Sequence, residues 1–192
     1  MPTTIPALAV SAHTATSALG RGVDAHADAL ARMHGGLRPN DFSHQPLDCW
    51  IGRVDGVEDA ALPAELGPWE CRNNRLAWLG LHQDRFAATV SAAAQRYGAH
   101  RVAVLLGTST GSIGTTEDAY RRVGADNRLP ADAQRPIIHA LHSLSSFVAA
   151  ALDLRGPCLT ISTACSSSAK VFAMAERMLR LGLIDAAVVG GV

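Results

Sequence analysis

The sequence predicts an α/β domain in which helices cover a parallel or mixed sheet. Helical and extended patterns alternate throughout the second half of the chain, as they do in such folds. A strand is expected over residues 101–106, where Arg101 precedes an unbroken apolar run that enters Gly107, which is typical of a strand buried on both faces. Hydrophobic residues make up 48% of the 192 residues and aromatic residues only 5%, so the core is expected to consist of small aliphatic side chains.

The first half of the chain has a less regular pattern. The apolar run Ile5–Ala12 is compatible with a first strand, and a helix is expected over Ser17–Met33. Residues 37–68 contain four prolines and are expected to form an irregular insertion or interface loop. Apolar spacing predicts a further helix over Asn73–Tyr97.

The second half is expected to contain two helices and two more strands. The helices are expected over Ile137–Leu152 and Ser166–Leu181, and the strands over Cys158–Ser162 and Ala186–Val189. The last strand has the composition of a central strand, yet the sequence stops directly after it. We therefore expect the chain to be part of a larger fold or to pair with another chain.

Charge and composition exclude several classes of function. The chain has 17 basic and 17 acidic residues, so it lacks the basic surface of a nucleic-acid-binding protein. No apolar run approaches the ~20 residues of a membrane span, and the N-terminus does not resemble a signal peptide, which favours the cytoplasm. The cysteines are Cys49, Cys71, Cys158 and Cys165; they form no C-x-x-C pair, so no zinc site is expected.

One cysteine stands where a reactive thiol is expected. The run GPCLTISTACSSSAK (residues 156–170) predicts that a buried strand delivers Cys165 to the first residue of a helix. The positive end of the helix dipole and the free N–H groups favour a thiolate there, and the same groups can bind an oxyanion. Ser166, Ser167 and Ser168 are small enough to let a thioester approach. An inert structural thiol beside a serine-capped helix remains the alternative.

The same run resembles the active-site region of the β-ketoacyl synthases, which are condensing enzymes of the thiolase superfamily. The resemblance continues from Ala175 to Gly191, and the loop GTSTGSIGTTE (residues 107–117) is similar to the glycine-rich loop of that family. It implies the N-terminal half, over residues 1–192, of a thiolase-like fold with a mixed five-stranded sheet. It also implies that Cys165 is the catalytic nucleophile and that Thr110 gates the acyl pocket.

The resemblance carries an expected reaction and expected partners. Cys165 would take an acyl group from an acyl carrier protein, and a malonyl-type extender would then lose carbon dioxide and attack the acyl-cysteine. The pathway would be fatty-acid or polyketide synthesis, without a metal or another cofactor. The family acts as a dimer, so a homodimer or a heterodimer with a synthase-like chain is expected.

The chain lacks part of the catalytic set that the resemblance implies. The family uses two histidines and a lysine from a C-terminal half, and neither His139 nor His142 matches those positions. Complete condensation by this chain alone is therefore not expected. A non-catalytic partner similar to a chain-length factor is the alternative, although such subunits typically replace the cysteine.

A second alternative belongs to another enzyme class. The residues from Gly107 to Gly111 fit the G-x-S-x-G pattern of a serine hydrolase, with Ser109 as the nucleophile. That pattern is short, and its catalytic histidine would have to be His139 or His142.

Overall fold

The computed structural model describes residues 7–42 and 47–192. The strands are β1 (Thr16–Ser17), β2 (Gly20–Arg21), β3 (Leu37–Pro39), β4 (Trp50–Gly52), β5 (Val102–Gly107), β6 (Cys158–Ile161) and β7 (Ala186–Gly191). The α-helices are α1 (Val23–Ala31), α2 (Arg72–Leu81), α3 (Phe86–Tyr97), α4 (Ile113–Arg121), α5 (Pro136–His139), α6 (Ser143–Ala151) and α7 (Ser167–Arg180). Short 3-10 helices cover Ala64–Trp69, Ala99–Arg101 and Ala131–Ala133.

The main sheet has three parallel strands in the order β6-β5-β7. Every residue of the central strand β5 is buried, which explains its unbroken apolar sequence. The strands predicted over residues 101–106 and 158–162 are confirmed to within one residue, and so is the helix expected over 166–181. The last strand, β7, lies at one edge of this sheet, and its central place in a larger sheet stays a prediction.

Alternate residues of β5 face two different hydrophobic cores. Val102, Val104 and Leu106 pack on one side of the sheet, against α2, α3 and α6. Ala103 and Leu105 pack on the other side, against the buried face of α7. This period of two places helices on both faces of the sheet, so the predicted α/β layering is confirmed.

The first predicted helix begins later than expected. Residues 16–21 form a tight hairpin of β1 and β2, and α1 starts only at Val23. Gly22 has a φ of 86°, and the carboxylate of Asp84 accepts hydrogen bonds from the Val23 N–H at 3.1 Å. Since this distant carboxylate caps the helix, its start cannot be read from neighbouring residues.

Two other predicted helices are divided. The helix expected over Asn73–Tyr97 is interrupted between α2 and α3, where Asp84 and Arg85 have φ values of 53° and 56°. The helix expected over Ile137–Leu152 consists of α5 and α6, separated by the extended residue Ala140. In both places a few residues change the direction of the backbone, so the two helices run in different directions. The spacing of apolar residues does not reveal such breaks.

The N-terminal region also differs from expectation. Residues 7–12 form no strand, and the rest of the predicted first strand, residues 5 and 6, lies outside the described part of the chain. Within residues 37–68, expected to be irregular, β3 and β4 pair as an antiparallel hairpin. Across residues 7–42 and 47–192, no helix combines the length and apolar character needed to cross a bilayer.

An ion pair joins the loop after α7 to the start of β5. Arg101 donates to the carboxylate of Asp185 at 2.7 Å and to the carbonyl oxygens of Gly182 and Leu183 at 3.0 Å. The Arg101 hydrogen bond lowers the pKa of Asp185 below its usual 3.8, and the same bond raises the pKa of Arg101. This contact therefore fixes the end of α7 and the entry to β7.

The stabilising effect of Asp185 should depend on pH. Because its pKa is lowered on folding, its contribution is present above the unfolded value of 3.8 and is lost as pH falls through the folded value. Replacing Asp185 with Asn should therefore lower the free energy of unfolding at pH 7, and the difference from wild type should shrink below pH 4. Urea denaturation at several pH values measures this. Asp28→Asn, which disrupts the exposed pair with Arg32, is the control and should change stability little.

Candidate active site

Cys165 lies in the turn between β6 and α7, at the carboxyl end of the parallel sheet. Helix α7 starts at Ser167 with Ser166 as its N-cap residue, so Cys165 comes one residue before the cap and not at the first helical position as expected. Cys165 is exposed to solvent. The turn around it is tight, because Ala164 has a left-handed φ of 53°.

Two serine side chains bind the backbone of this turn. The hydroxyl of Ser167 accepts a hydrogen bond from the Thr163 N–H at 2.8 Å and donates one to the Ala164 carbonyl oxygen at 2.7 Å. The hydroxyl of Ser166 donates to the Thr163 carbonyl oxygen at 3.0 Å and makes no capping bond to α7. Ser167 is buried, so one of the serines expected only to leave room for a thioester is part of the internal structure of the turn.

Glycines let the start of α7 approach the ends of two strands. A Cβ atom at Gly107 would lie 2.5 Å from the backbone of Ser167 and Ser168, and one at Gly191 would lie 2.6 Å from the Gly107 carbonyl oxygen. Neither position has room for a side chain. The sequence identified Gly107 as part of a loop motif but did not reveal this close contact, which depends on residues about sixty positions apart.

The other cysteines occupy different environments. Cys158 is half-buried at the start of β6 and packs against the hydrophobic core, and burial raises the pKa of its thiol. Cys71 is buried beside α2, and Cys49 is exposed near β4. Cys165 is therefore the one exposed cysteine at the end of the main sheet among the residues that the structure describes.

The glycine-rich loop after β5 is held by its own hydroxyl group. Thr108 is buried and donates to the Thr110 carbonyl oxygen at 2.9 Å, while the side chains of Ser109 and Thr110 are exposed. Ser112 is buried with a φ of 46° and precedes α4. Because β5 and β6 are neighbouring parallel strands, this loop and the Cys165 turn both follow the carboxyl ends of the strands.

The two histidines near this region form hydrogen bonds within the chain. His139 is within 2.9 Å of the Thr116 hydroxyl and 3.2 Å of the Ala133 carbonyl oxygen. His142 is 3.1 Å from the Thr160 hydroxyl on β6. Neither bonds to Ser109, so the geometry gives the serine-hydrolase alternative no general base. Across the described ranges, no cluster of three or more His, Cys, Asp or Glu residues could hold a metal ion.

Comparison with known proteins shows the family. Residues 77–192 match the model of the beta-ketoacyl synthase N-terminal domain, which is more than half of the chain. The chain belongs to the β-ketoacyl synthase family. Its ketosynthase-like fold is therefore of the thiolase-like class expected from the sequence, while the main sheet of the described residues has three parallel strands where a mixed five-stranded sheet was expected.

Several relatives of this ketosynthase-like domain have assigned activities or solved structures. One chain of the structure of the ketosynthase ApeO in complex with its chain length factor ApeC, from Xenorhabdus doucetiae, is 32% identical with a TM-score of 0.75, and the match covers 91% of this chain and 44% of that one. Putative polyketide beta-ketoacyl synthase 1 of Streptomyces virginiae is 29% identical over 143 residues, which are 71% of this chain and 33% of the relative.

A larger relative is similar over a shorter stretch. Phthioceranic/hydroxyphthioceranic acid synthase of Mycobacterium tuberculosis is 37% identical over 89 residues, which are 46% of this chain and 4% of that protein. In all three comparisons the ketosynthase-like chain spans less than half the length of its relative.

The glycine contacts give a direct test of how the site is built. Replacing Gly107 with Ala should lower the free energy of unfolding by about 1–3 kcal/mol, because the new Cβ would overlap the backbone at the start of α7. Gly114→Ala is the matched control: no atom lies within 4 Å of its Cβ position, and alanine favours helix α4, so any change should be slightly stabilising, within about 1 kcal/mol. Chemical denaturation compares the two. Equal stabilities would contradict the packing argument.

Proposed function

We propose that this chain is the nucleophile-bearing half of a β-ketoacyl-[acyl-carrier-protein] synthase and that Cys165 captures the acyl group. The observation that supports this most strongly is the exposed sulfur of Cys165 at the carboxyl end of a parallel sheet, directly before a helix N-terminus. The helix dipole favours an anion there, and the N-cap side chain of α7 does not block the first N–H groups.

The first half of the reaction would use groups of this chain. The Cys165 thiol gives up its proton and its sulfur attacks the acyl thioester carbon. A C–S bond to Cys165 forms, the C–S bond to the carrier protein breaks, and the departing carrier sulfur takes up that proton to leave as a thiol. The Cys165 N–H is proposed as one oxyanion donor for the tetrahedral intermediate. Such covalent capture divides one difficult condensation into two easier steps.

The second half of the reaction would need groups from elsewhere. A malonyl-type extender on the carrier loses carbon dioxide, and its carbanion attacks the acyl-cysteine to release a β-ketoacyl product. By resemblance, two histidines and a lysine support those steps. His139 and His142 are hydrogen-bonded to Thr116 and Thr160, so neither is proposed as a substitute for those histidines.

The edge of the main sheet is consistent with an incomplete fold. No strand among the described residues pairs with the outer edge of β7. A cavity of about 840 Å³ lies between that strand and the extended residues 7–12, with Val90, Phe172 and Val188 among its apolar lining residues. A polypeptide segment from a second half, on the same or another chain, would bury this surface.

The expected assembly is also part of this proposal. The ApeO structure contains a ketosynthase together with its chain length factor. The outer edge of β6 has no paired strand among the described residues, and Leu159 on it is exposed. A homodimer or a heterodimer with a synthase-like chain would cover this edge, and an acyl carrier protein would deliver the substrate.

Acylation by an acyl carrier protein tests the function directly. The native protein, incubated with an acyl carrier protein bearing a saturated acyl chain, should gain one acyl mass on the peptide that contains Cys165. The Cys165→Ala variant should gain none. Iodoacetamide should also alkylate Cys165 faster than the exposed Cys49, by roughly tenfold at neutral pH, as is expected of a catalytic thiol.

The same measurements separate the alternatives. No acyl transfer, together with alkylation no faster than at Cys49, would favour a non-catalytic partner similar to a chain-length factor. An acyl group found on Ser109 and lost in Ser109→Ala would instead favour the hydrolase.

Thr110 is proposed to limit the acyl pocket. Its side chain is exposed on the loop beside the Cys165 turn, and the loop is held through its backbone carbonyl, so a larger side chain leaves that hydrogen bond intact. Thr110→Phe should therefore reduce acylation by long acyl chains relative to short chains, by roughly tenfold or more. Ser109→Phe is the size-matched control on the neighbouring residue. The acyl-carrier assay with chains of different length measures the ratio, and an unchanged ratio would exclude the gating role.

A further inference from the structure

The turn that carries Cys165 depends on a buried hydroxyl group. Ser167 is only 3% exposed, and its hydroxyl uses both its acceptor and its donor capacity within the turn, on Thr163 and Ala164. Its backbone N–H also donates to the Ala164 carbonyl oxygen, at 3.2 Å. The peptide groups immediately before Cys165 are thus held by one residue that comes two positions after it.

The hydrogen bonds of Ser167 flank Ala164, whose backbone conformation is unfavourable for a residue other than glycine. Ala164 adopts a φ of 53°, and a left-handed conformation costs an alanine about 1–2 kcal/mol. Such a conformation persists only where surrounding contacts impose it. Ser166 also bonds to Thr163, but the hydrogen bonds from Ser167 to both sides of Ala164 are the ones made by a buried side chain, while Ala164 itself is exposed.

We propose that Ser167 is a positioning residue for the Cys165 nucleophile. Its hydroxyl fixes the left-handed turn at Ala164 and so sets the direction in which the sulfur leaves the backbone. Ser167 acts through the peptide groups on the N-terminal side of Cys165 and makes no hydrogen bond to the sulfur. The inference rests on the proposed role of Cys165 and adds a residue that determines its geometry.

Ser166 provides an internal comparison. Its hydroxyl also bonds to the turn, at the Thr163 carbonyl oxygen, but this side chain is exposed. Water can replace an exposed hydrogen bond at little cost, whereas the loss of a buried partner leaves a polar group without a substitute. The two adjacent serines therefore have the same chemistry but should differ in importance.

Site-resolved alkylation of the full-length protein tests the proposal. Iodoacetamide labelling at pH 7, followed by peptide mass spectrometry, reports the four cysteines separately. In Ser167→Ala the rate at Cys165 should fall by roughly tenfold or more, because both hydrogen bonds of the buried hydroxyl are lost. In Ser166→Ala it should fall less than about twofold. The exposed Cys49 should react equally in all variants, and the buried Cys71 should stay protected, which shows that the fold is intact.

A second pair of variants tests the turn without altering a buried group. Ala164→Asn and Ala164→Val add side chains of similar size at an exposed position, but asparagine tolerates a left-handed φ and valine does not. Cys165 should react faster in Ala164→Asn than in Ala164→Val. This comparison also decides the matter if Ser167→Ala unfolds and exposes Cys71.

The outcomes distinguish this inference from the proposed function. Equal rates in Ser166→Ala and Ser167→Ala, or equal rates in the two Ala164 variants, would overturn the positioning role even where wild-type Cys165 accepts an acyl group. Failure of the wild-type protein to accept an acyl group would instead contradict the function, whatever the variants show.

Discussion

The close approach of helix α7 to the ends of β5 and β7 is the constraint on which the site depends. Gly107 and Gly191 leave no room for a Cβ atom, so the helix start lies directly against the strand ends. A parallel sheet with every residue of its central strand buried is difficult to deform. The turn that presents Cys165 is therefore anchored on the most rigid part of the chain, although the sulfur itself is exposed.

The groups that position the Cys165 sulfur are different from the side chains that would transfer protons in the reaction. The described residues supply an exposed thiol, a helix N-terminus and a fixed turn, while the nearby histidines bond to Thr116 and Thr160. A nucleophile needs orientation and backbone donors for the oxyanion that it creates, and both depend on backbone geometry. Decarboxylation and carbanion attack need side chains that hold or move protons, and those would approach from the open side of the Cys165 turn. The proposed division of the reaction between two halves follows from this difference.

The sequence predicted the elements whose pattern is contained within one segment of the chain. The strand β5 and the helix α7 were recognised because an apolar run and an amphipathic period are complete within each segment. The start of α1 was missed because its cap, Asp84, lies 61 positions away from Val23. Cys165 was recognised from its motif, but the burial of Ser167 was not, because three consecutive serines give no signal for which of them faces inward.

The two free edges of the main sheet connect the fold to the assembly. Strand β6 leads directly into the Cys165 turn, and Ser145 on α6 donates to its Leu159 carbonyl oxygen at 3.0 Å, so α6 restrains this edge strand. Any chain that paired with its outer edge would also restrain the first residues of the turn. At the other edge, a segment filling the cavity beside β7 would press on Phe172 and Val188, and hence on the helix that begins at the same site. Completion of the sheet on either side would therefore act on the nucleophile through the same helix and strands that position it.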